Sequence, residues 1–113
     1  MINSFLLIGQ SNMSGRGSLN EVEPIYSKNI FTFSSNKWIE AREPLHTDRP
    51  DLVGIGLSMS FADILQKNFN KEIGLIPCAV GGTSLSEWQP GKKLYSSAVS
   101  ETLKAKKVGV YLE

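Results

Sequence analysis

Three apolar runs free of charged residues constrain the fold of this chain more than any other feature. They cover residues 5–8, 73–80 and 108–112, and none of them alternates regularly between apolar and polar residues. Such a run predicts a strand covered on both faces, as in a parallel sheet flanked by helices. Pro77 lacks a backbone N–H and indicates an end or an irregularity in the second strand.

Two segments with helical periodicity separate these runs. The first has apolar residues at Leu57, Phe61, Ile64, Leu65 and Phe69. Its start could be capped by Ser60 with Asp63 three residues later. The second has apolar residues at Tyr95, Val99 and Leu103, and it is predicted to begin at Ser96 or Ser97 and to end among lysines that suit the helix dipole. The pattern is strand, helix, strand, helix, strand.

A long stretch, residues 15–56, is too long for a simple connection between a strand and a helix, and it predicts a functional insertion or a lid. Within it, residues 30–33 and 38–39 flank turn-forming residues and predict a hairpin. The whole chain, residues 1–113, is predicted to be a single open α/β domain. In such sheets, sites form at the carboxyl ends of the strands.

Composition excludes several classes of function. Twelve Lys and Arg against eleven Asp and Glu leave a formal charge of +1, so there is no electrostatic case for a nucleic-acid or anionic-membrane partner. Neither a targeting signal nor a membrane span is predicted, since no apolar run approaches about 20 residues. The lone cysteine, Cys78, is expected to be a small core hydrophobe in a cytoplasmic protein.

Two loops that follow predicted strands, residues 9–13 and 81–84, carry hydroxyl groups and glycines. Ser11 could be a nucleophile if a base activates it, and Gly82 could donate an N–H to the oxyanion of an acyl-transfer reaction. Turn formation or helix capping is the alternative role of Ser11. The first loop matches neither the nucleophile elbow of α/β-hydrolases nor a phosphate-binding loop.

Three sequence blocks carry a family resemblance: IGQSNMSGRG from residue 8, VGIGLSMSFADIL from residue 53 and IGLIPCAVGGTSLSEW from residue 73. Together they resemble the SGNH hydrolases, in the branch of sialate O-acetylesterases and acetylxylan esterases that forms carbohydrate esterase family six. The resemblance implies a three-layer α/β/α sandwich with a parallel, flavodoxin-like sheet. It also implies a serine esterase that removes O-acetyl groups from carbohydrates and needs no cofactor or metal.

The resemblance assigns roles to residues of these blocks. Ser11 is implied as the nucleophile and as one oxyanion N–H donor, and Gly82 as the second donor, with Gly81 as the alternative. Candidate substrate-binding residues are Gln10, Asn12, Arg16, Arg49 and Trp88. For the first three of these, turn stabilisation is the alternative, and for Trp88 it is ordinary packing.

The family completes its site with a Gln-Gly-Glu segment and a late Asp-x-x-His pair, and neither occurs in this sequence. We therefore expect the N-terminal portion of an esterase domain, truncated after the third strand and with little or no activity alone. His46, the only histidine, lies in the long insertion, and we expect a solvated loop imidazole or a contact at the substrate edge rather than a base.

A non-catalytic carbohydrate-binding or interaction fragment is the alternative to an enzyme. Half of a parallel sheet would leave an unpaired strand edge at residues 108–112 and uncovered apolar helix faces. Such surfaces favour self-association.

Overall fold

A computed structural model describes residues 2–108 of the chain. Its strands are β1 (Ile2–Leu7), β2 (Ile30–Ser34), β3 (Lys37–Glu40) and β4 (Glu72–Pro77). Its helices are α1 (Ser11–Ser14), α2 (Ser58–Phe69) and α3 (Lys93–Val108), and a 3₁₀ helix covers Leu85–Trp88. None of the helices in this range is long and apolar enough to cross a membrane.

The four strands form one sheet in the order β1-β4-β2-β3. Strand β4 lies parallel to both β1 and β2, while β2 and β3 form an antiparallel hairpin. The hairpin turn contains Ser35 and Asn36 with φ of 50° and 65°, the left-handed conformations that a tight hairpin requires. The predicted hairpin and the predicted α/β class are therefore confirmed, and Pro77 lies at the end of β4 as expected.

The prediction that residues 15–56 form an insertion or a lid is wrong for its central part. Strand β2 pairs in parallel with β4, with Ile30 opposite Ile73 and Thr32 opposite Leu75, so the hairpin extends the main sheet. An isolated bridge between Gly17 and Ile55 also joins the two ends of the stretch. Hairpin signals are local, but the pairing of β2 with β4 spans about 40 residues and leaves no local pattern.

Helices cover the sheet on both sides and give the three layers that were predicted. On one face, Met59 and Ala62 of α2 pack in a buried cluster with Leu7, Ile30 and Leu75. A second cluster, on the opposite face, joins Ala105 of α3 to Phe33 and Ile76. The Trp38 indole N–H donates to the Ala105 carbonyl over 3.3 Å, so β3 is tied to α3.

The helix boundaries differ from the prediction. Helix α2 begins at Ser58 without a side-chain cap, and Ser60 lies inside it. Asp63 pairs instead with Lys67 one turn later, at 2.9 Å. Helix α3 begins at Lys93, earlier than predicted, and runs to Val108, where the third strand was expected to start. The rest of that predicted strand, residues 109–112, lies outside the described residues.

Large apolar side chains remain exposed on both helices and on β1. They include Leu57, Phe61, Ile64 and Phe69 on or beside α2, Tyr95, Val99 and Leu103 on α3, and Leu6 and Ile8 at the end of β1. The face of α2 that meets the sheet is lined by Ser58, Met59 and Ala62, whose small or flexible side chains let the helix approach closely. The prediction that β1 is covered on both faces is therefore wrong within the described residues, where Leu6 is exposed.

Truncating one buried and one exposed isoleucine tests this packing. Ile30 is 0% exposed and Ile64 is 60% exposed. We expect Ile30→Ala to lower the free energy of unfolding by about 2–5 kcal/mol, because it leaves a cavity between the sheet and α2. Ile64→Ala should change it by less than about 0.5 kcal/mol. Urea denaturation of both variants checks this. An equal loss of unfolding free energy at the two positions would contradict the exposure of Ile64 on α2.

Candidate active site

Ser11 lies where the chain leaves β1. Gly9, with φ of 140°, turns the backbone after the strand, and α1 begins two residues later at Ser11. The Gln10 carbonyl accepts hydrogen bonds from the N–H groups of Met13 and Ser14, both at 3.0 Å, and so closes this turn. Ser11 is half-buried, and within residues 2–108 its hydroxyl has no hydrogen-bond partner. The hydroxyl is thus held at a strand end and left unpaired.

The loop after β4 runs beside this turn. The Cys78 N–H donates to the Leu7 carbonyl at 2.8 Å, and the Val80 N–H donates to the Gly9 carbonyl at 2.9 Å. These two bonds continue the parallel pairing of β1 with β4 beyond the ends of both strands. The segment that precedes Ser11 and the segment that precedes Gly82 are therefore fastened together.

The intervening N–H groups of the same loop point to a third segment, residues 46–48. The Ala79 N–H donates to His46 Nδ1 at 3.2 Å, and the Gly81 N–H donates to Asp48 Oδ2 at 2.7 Å. Successive N–H groups of residues 78–81 thus alternate between residues 7–9 and the 46–48 segment. The loop is therefore held by hydrogen bonds on both sides as far as Gly81.

Gly82 is the first residue of this loop that follows these hydrogen bonds. Its φ is 76°, a left-handed conformation that favours glycine, and a Cβ built there would meet no atom within 4 Å. Within the described part of the chain its N–H has no acceptor. Gly81 differs in both respects, because its N–H is bonded to Asp48 and a Cβ would collide with the Arg16 guanidinium.

Asp48 joins the two loops through a buried carboxylate. Its side chain is 2% exposed and forms an ion pair with Arg16 at 3.1 Å. The Ser14 hydroxyl donates to its other oxygen. Burial alone would raise the pKa of Asp48, but the hydrogen bonds from Ser14, Gly81 and Arg16, together with the Arg16 charge, outweigh it and lower the pKa to about 2. The carboxylate is ionised at neutral pH.

The expectation of a solvated imidazole at His46 is wrong. His46 is only 3% exposed, and its Nδ1 accepts the Ala79 N–H, so the proton of the neutral ring sits on Nε2. Within the described residues this Nε2 is buried without a partner. Burial is the main cause that lowers the His46 pKa, to about 4; the Arg16 charge lowers it further and the Asp48 charge opposes it. The acceptor nitrogen is occupied by the backbone.

The other predicted site residues lie in different surroundings. Gln10 and Asn12 are exposed on either side of Ser11. Arg16 is not free for a ligand, since it donates to Gly15 O and Ser14 Oγ besides pairing with Asp48. Arg49 is 54% exposed and pairs with Asp51 at 3.5 Å.

Trp88 belongs to the loop that follows Gly82. Its indole N–H donates to Thr83 Oγ1 at 3.1 Å, and the Thr83 hydroxyl in turn donates to the Val80 carbonyl at 2.7 Å. The ring is half-buried, so part of it faces solvent. Trp88 is thus held on the same loop as the Gly82 N–H.

Glycines let the end of α1 contact the segment before α2. The Gly54 N–H donates to Gly15 O at 3.0 Å, and the Gly17 N–H donates to Ile55 O at 2.9 Å. A Cβ at Gly15, where φ is 100°, would come within 2.7 Å of the Gly56 nitrogen. The glycines of residues 15–17 and 54–56 therefore let the two backbone segments pack closely, which holds the end of the Ser11 turn in place.

The Cys78 thiol is half-buried and protonated, and it packs against the core. Burial, with a smaller effect of the Glu101 charge, raises the pKa of Cys78 to about 11, so the thiol is protonated at neutral pH. Cys78 packs against the Phe33, Ile76 and Ala105 cluster, as a small core hydrophobe does. Residues 2–108 contain no group of three or more His, Cys, Asp and Glu side chains placed to hold a metal ion.

The hydrogen bonds by which Asp48 joins Ser14 to Gly81 were not predicted from the sequence. Ser14 is 1% exposed although it is polar and lies in a four-residue helix. Its partner Asp48 is 34 residues away, so no local spacing connects the two. The available signal was an acidic residue two positions after the only histidine, which lets both side chains face the same neighbouring backbone.

Acidification should destabilise the fold through His46. In the unfolded chain the imidazole takes up a proton below about its ordinary pKa of 6.5, but in the fold only below about 4. Its contribution is therefore fully present above pH 6.5 and is lost as the pH falls toward 4, by about 3 kcal/mol in total. Urea denaturation across this range should show the loss in the native chain. In His46→Asn, whose amide oxygen replaces Nδ1 without titrating, the slope should disappear; a slope of equal size in both would contradict the burial of His46.

The chain is similar to known carbohydrate esterases. The family model described as carbohydrate esterase, sialic acid-specific acetylesterase, matches residues 1–111. A probable carbohydrate esterase of Arabidopsis thaliana is 35% identical over 125 aligned positions, which cover 93% of this chain and 48% of the relative. The X-ray structure of the same Arabidopsis protein superimposes with a TM-score of 0.84 at 34% identity, over 93% of this chain and 51% of that one.

The chain thus spans about half the length of the relative that it matches. The match nonetheless includes the β1 turn with Ser11, the 46–48 segment and the loop with Gly82, because the family model covers all of them. The chain belongs to the carbohydrate esterase family of sialic acid-specific acetylesterases.

Proposed function

We propose that this chain is part of a serine esterase that removes O-acetyl groups from a carbohydrate, with Ser11 as the nucleophile. One observation supports it above all. The unpaired Ser11 hydroxyl follows β1, the unpaired Gly82 N–H follows β4, and two backbone hydrogen bonds fasten the segments that carry them. A serine hydroxyl and a free N–H donor on two adjoining loops suit acyl transfer.

In the proposed reaction, Ser11 Oγ attacks the acetyl carbonyl carbon and its proton passes to a base. The carbonyl oxygen becomes an oxyanion, and the N–H groups of Ser11 and Gly82 stabilise it. Collapse of the tetrahedral intermediate expels the sugar hydroxylate, which takes up the proton, and leaves an acetyl-serine. Water then gives a proton to the base and attacks this ester, the bond from the acyl carbon to Ser11 Oγ breaks, Oγ takes up the proton, and acetic acid is released. Gly82 suits the donor role better than Gly81, since the Gly81 N–H is already bonded to Asp48.

The base is the missing group within residues 2–108. His46 is the only histidine of the sequence, and its acceptor nitrogen is occupied by the Ala79 N–H. Loss of the base from a catalytic triad lowers the rate on the order of 10⁴ to 10⁶-fold. The 113-residue chain by itself is therefore proposed to have little esterase activity.

Sugar contacts are proposed for the polar and aromatic groups around Ser11. Gln10 and Asn12 are exposed on the same turn, and Trp88 presents part of its ring on the loop after Gly82. An aromatic face packs well against the apolar face of a pyranose. Arg49 remains a proposed substrate contact, because its side chain is 54% exposed. For Arg16 we propose support of the turn instead, since its donors are engaged.

Labelling with a fluorophosphonate probe tests the nucleophile. We expect slow incorporation of one phosphonyl group at Ser11, found by peptide mass spectrometry and abolished by Ser11→Ala. Ser60→Ala, which changes an exposed serine of α2, is the matched control and should retain the label. Labelling of Ser11→Ala at the native rate would overturn the assignment. Turnover of an activated acetyl ester that is lost in both Ser11→Ala and His46→Asn would instead show that His46 acts as a base.

A non-catalytic interaction fragment is the second candidate, and the exposed apolar residues of α2 and α3 favour it. Ile64, Phe69 and Leu103 are each more than half exposed, at 60%, 64% and 55%. Large apolar side chains exposed on a surface favour association. On this proposal, sedimentation velocity at rising concentration should show reversible dimers or larger species, and Ile64→Lys should weaken them. A monomer throughout would contradict it.

A further inference from the structure

We infer that Asp48 is a positioning residue that sets the direction of the Gly82 N–H relative to Ser11. The inference rests on the proposed function, since it concerns the same oxyanion donors. Asp48 touches no substrate in this scheme. It acts through Gly81 on one side and through Ser14 on the other.

The two oxygens of the carboxylate divide their partners between the two loops. Oδ1 accepts the hydroxyl of Ser14, at the end of the short helix that Ser11 begins. Oδ2 accepts the Gly81 N–H at 2.7 Å and an Arg16 N–H at 3.1 Å. One rigid, planar group therefore spans the distance from the nucleophile turn to the residue before the oxyanion donor.

Gly82 depends on this anchor because little else contacts it. It is exposed, and a Cβ at its position would meet nothing within 4 Å. Beyond it, the Thr83 hydroxyl bonds back to the Val80 carbonyl, which closes the loop without holding the 81–82 peptide. The bond from Gly81 to Asp48 is thus the contact nearest to the donor. An oxyanion donor must point at its oxygen from about 2.7–3.1 Å, so a tilt of this peptide matters.

Arg16 gives the arrangement its second constraint. Its guanidinium packs over Gly81 so closely that a Cβ there would collide with it, and it donates to Gly15 O at 3.0 Å as well as to Asp48. The ion pair therefore grips the backbone of both loops. An asparagine at position 48 would retain the shape of the carboxylate, but it has one acceptor oxygen instead of two, so it cannot accept from both Ser14 and Gly81, and it lacks the charge that pairs with Arg16.

The test compares Asp48→Asn with Asp51→Asn in the full chain. Asp51 is the matched control because it lies in the same segment but is 68% exposed. Two readouts are measured: the maximal rate of Ser11 labelling by a fluorophosphonate at saturating probe, and amide hydrogen exchange at Gly81, Gly82 and, as a reference in β4, Leu75.

For Asp48→Asn we expect a fall in the maximal labelling rate of about tenfold, since misplacing an oxyanion donor costs part of the 10²–10³-fold that losing one costs. The half-saturating probe concentration should stay nearly constant. Exchange at Gly81 should accelerate at least about tenfold more than at Leu75, while exchange at Gly82, whose N–H is already free, should change little. Asp51→Asn should match the native chain in all of these. Unchanged labelling, or equal acceleration at Gly81 and Leu75, would overturn the inference, because a purely structural role loosens the whole fold.

Ser14→Ala keeps the test decisive if Asp48→Asn does not fold. It removes one partner of the carboxylate and retains the Gly81 and Arg16 contacts. We expect about a threefold slower labelling with exchange accelerated locally at Gly81; native behaviour in both readouts would overturn the inference. If the native chain is not labelled at Ser11 at all, the proposed function fails, and the exchange of Gly81 relative to Leu75 alone decides whether Asp48 positions the loop.

Discussion

The Asp48 carboxylate is the interaction on which the geometry of the candidate site depends. A buried charge costs several kcal/mol in lost hydration unless donors replace the water. Here the replacement comes from Ser14, Gly81 and Arg16, and these partners bring the pKa of Asp48 to about 2. Because Ser14 and Gly81 belong to different loops, satisfying this one charge also fastens the loops to each other.

The sheet supplies the frame for that contact. Strands β1 and β4 are parallel neighbours, so both end at the same edge, and the pairing continues past their ends through Leu7 O and Gly9 O. His46 adds a neutral, buried acceptor for the N–H of Ala79, which lies between Cys78 and Val80 in this loop. Backbone hydrogen bonds thus fix the loop as far as Val80, and side-chain acceptors from residues 46–48 fix it as far as Gly81. Gly82 follows with a free N–H, two residues after the Val80 that is bonded to Gly9.

Local sequence patterns predicted much of this fold. Runs without charge marked β1 and β4, and helical spacing marked α2 and α3, because these signals come from neighbouring residues. Start positions were predicted less well: Ser60 suits a cap, yet α2 begins at Ser58 without one. The place of β2 in the sheet was missed, since its partner Ile73 is distant in the chain.

For the candidate site, the sequence predicted residues in local motifs and missed contacts between distant segments. Ser11 and Gly82 belong to compact motifs, and the resemblance of those motifs to an esterase family pointed to both residues. Arg16 was expected to fix the turn or to contact a sugar, and its bonds to Ser14, Gly15 and Asp48 favour the first of these roles. Burial of His46 and the contacts of Asp48 could not be predicted, because a loop residue 33 positions before its partner has no periodic signal.

The most direct measurement of the proposed oxyanion geometry is a crystal structure of the chain with a phosphonyl group on Ser11. The phosphoryl oxygen stands in for the oxyanion of the ester reaction. We predict that this oxygen lies about 2.7–3.1 Å from the backbone nitrogens of Ser11 and Gly82. We also predict that the Gly81 N–H is still bonded to Asp48. A phosphoryl oxygen turned away from Gly82, or bonded to the Gly81 N–H in place of Asp48, would contradict these predictions.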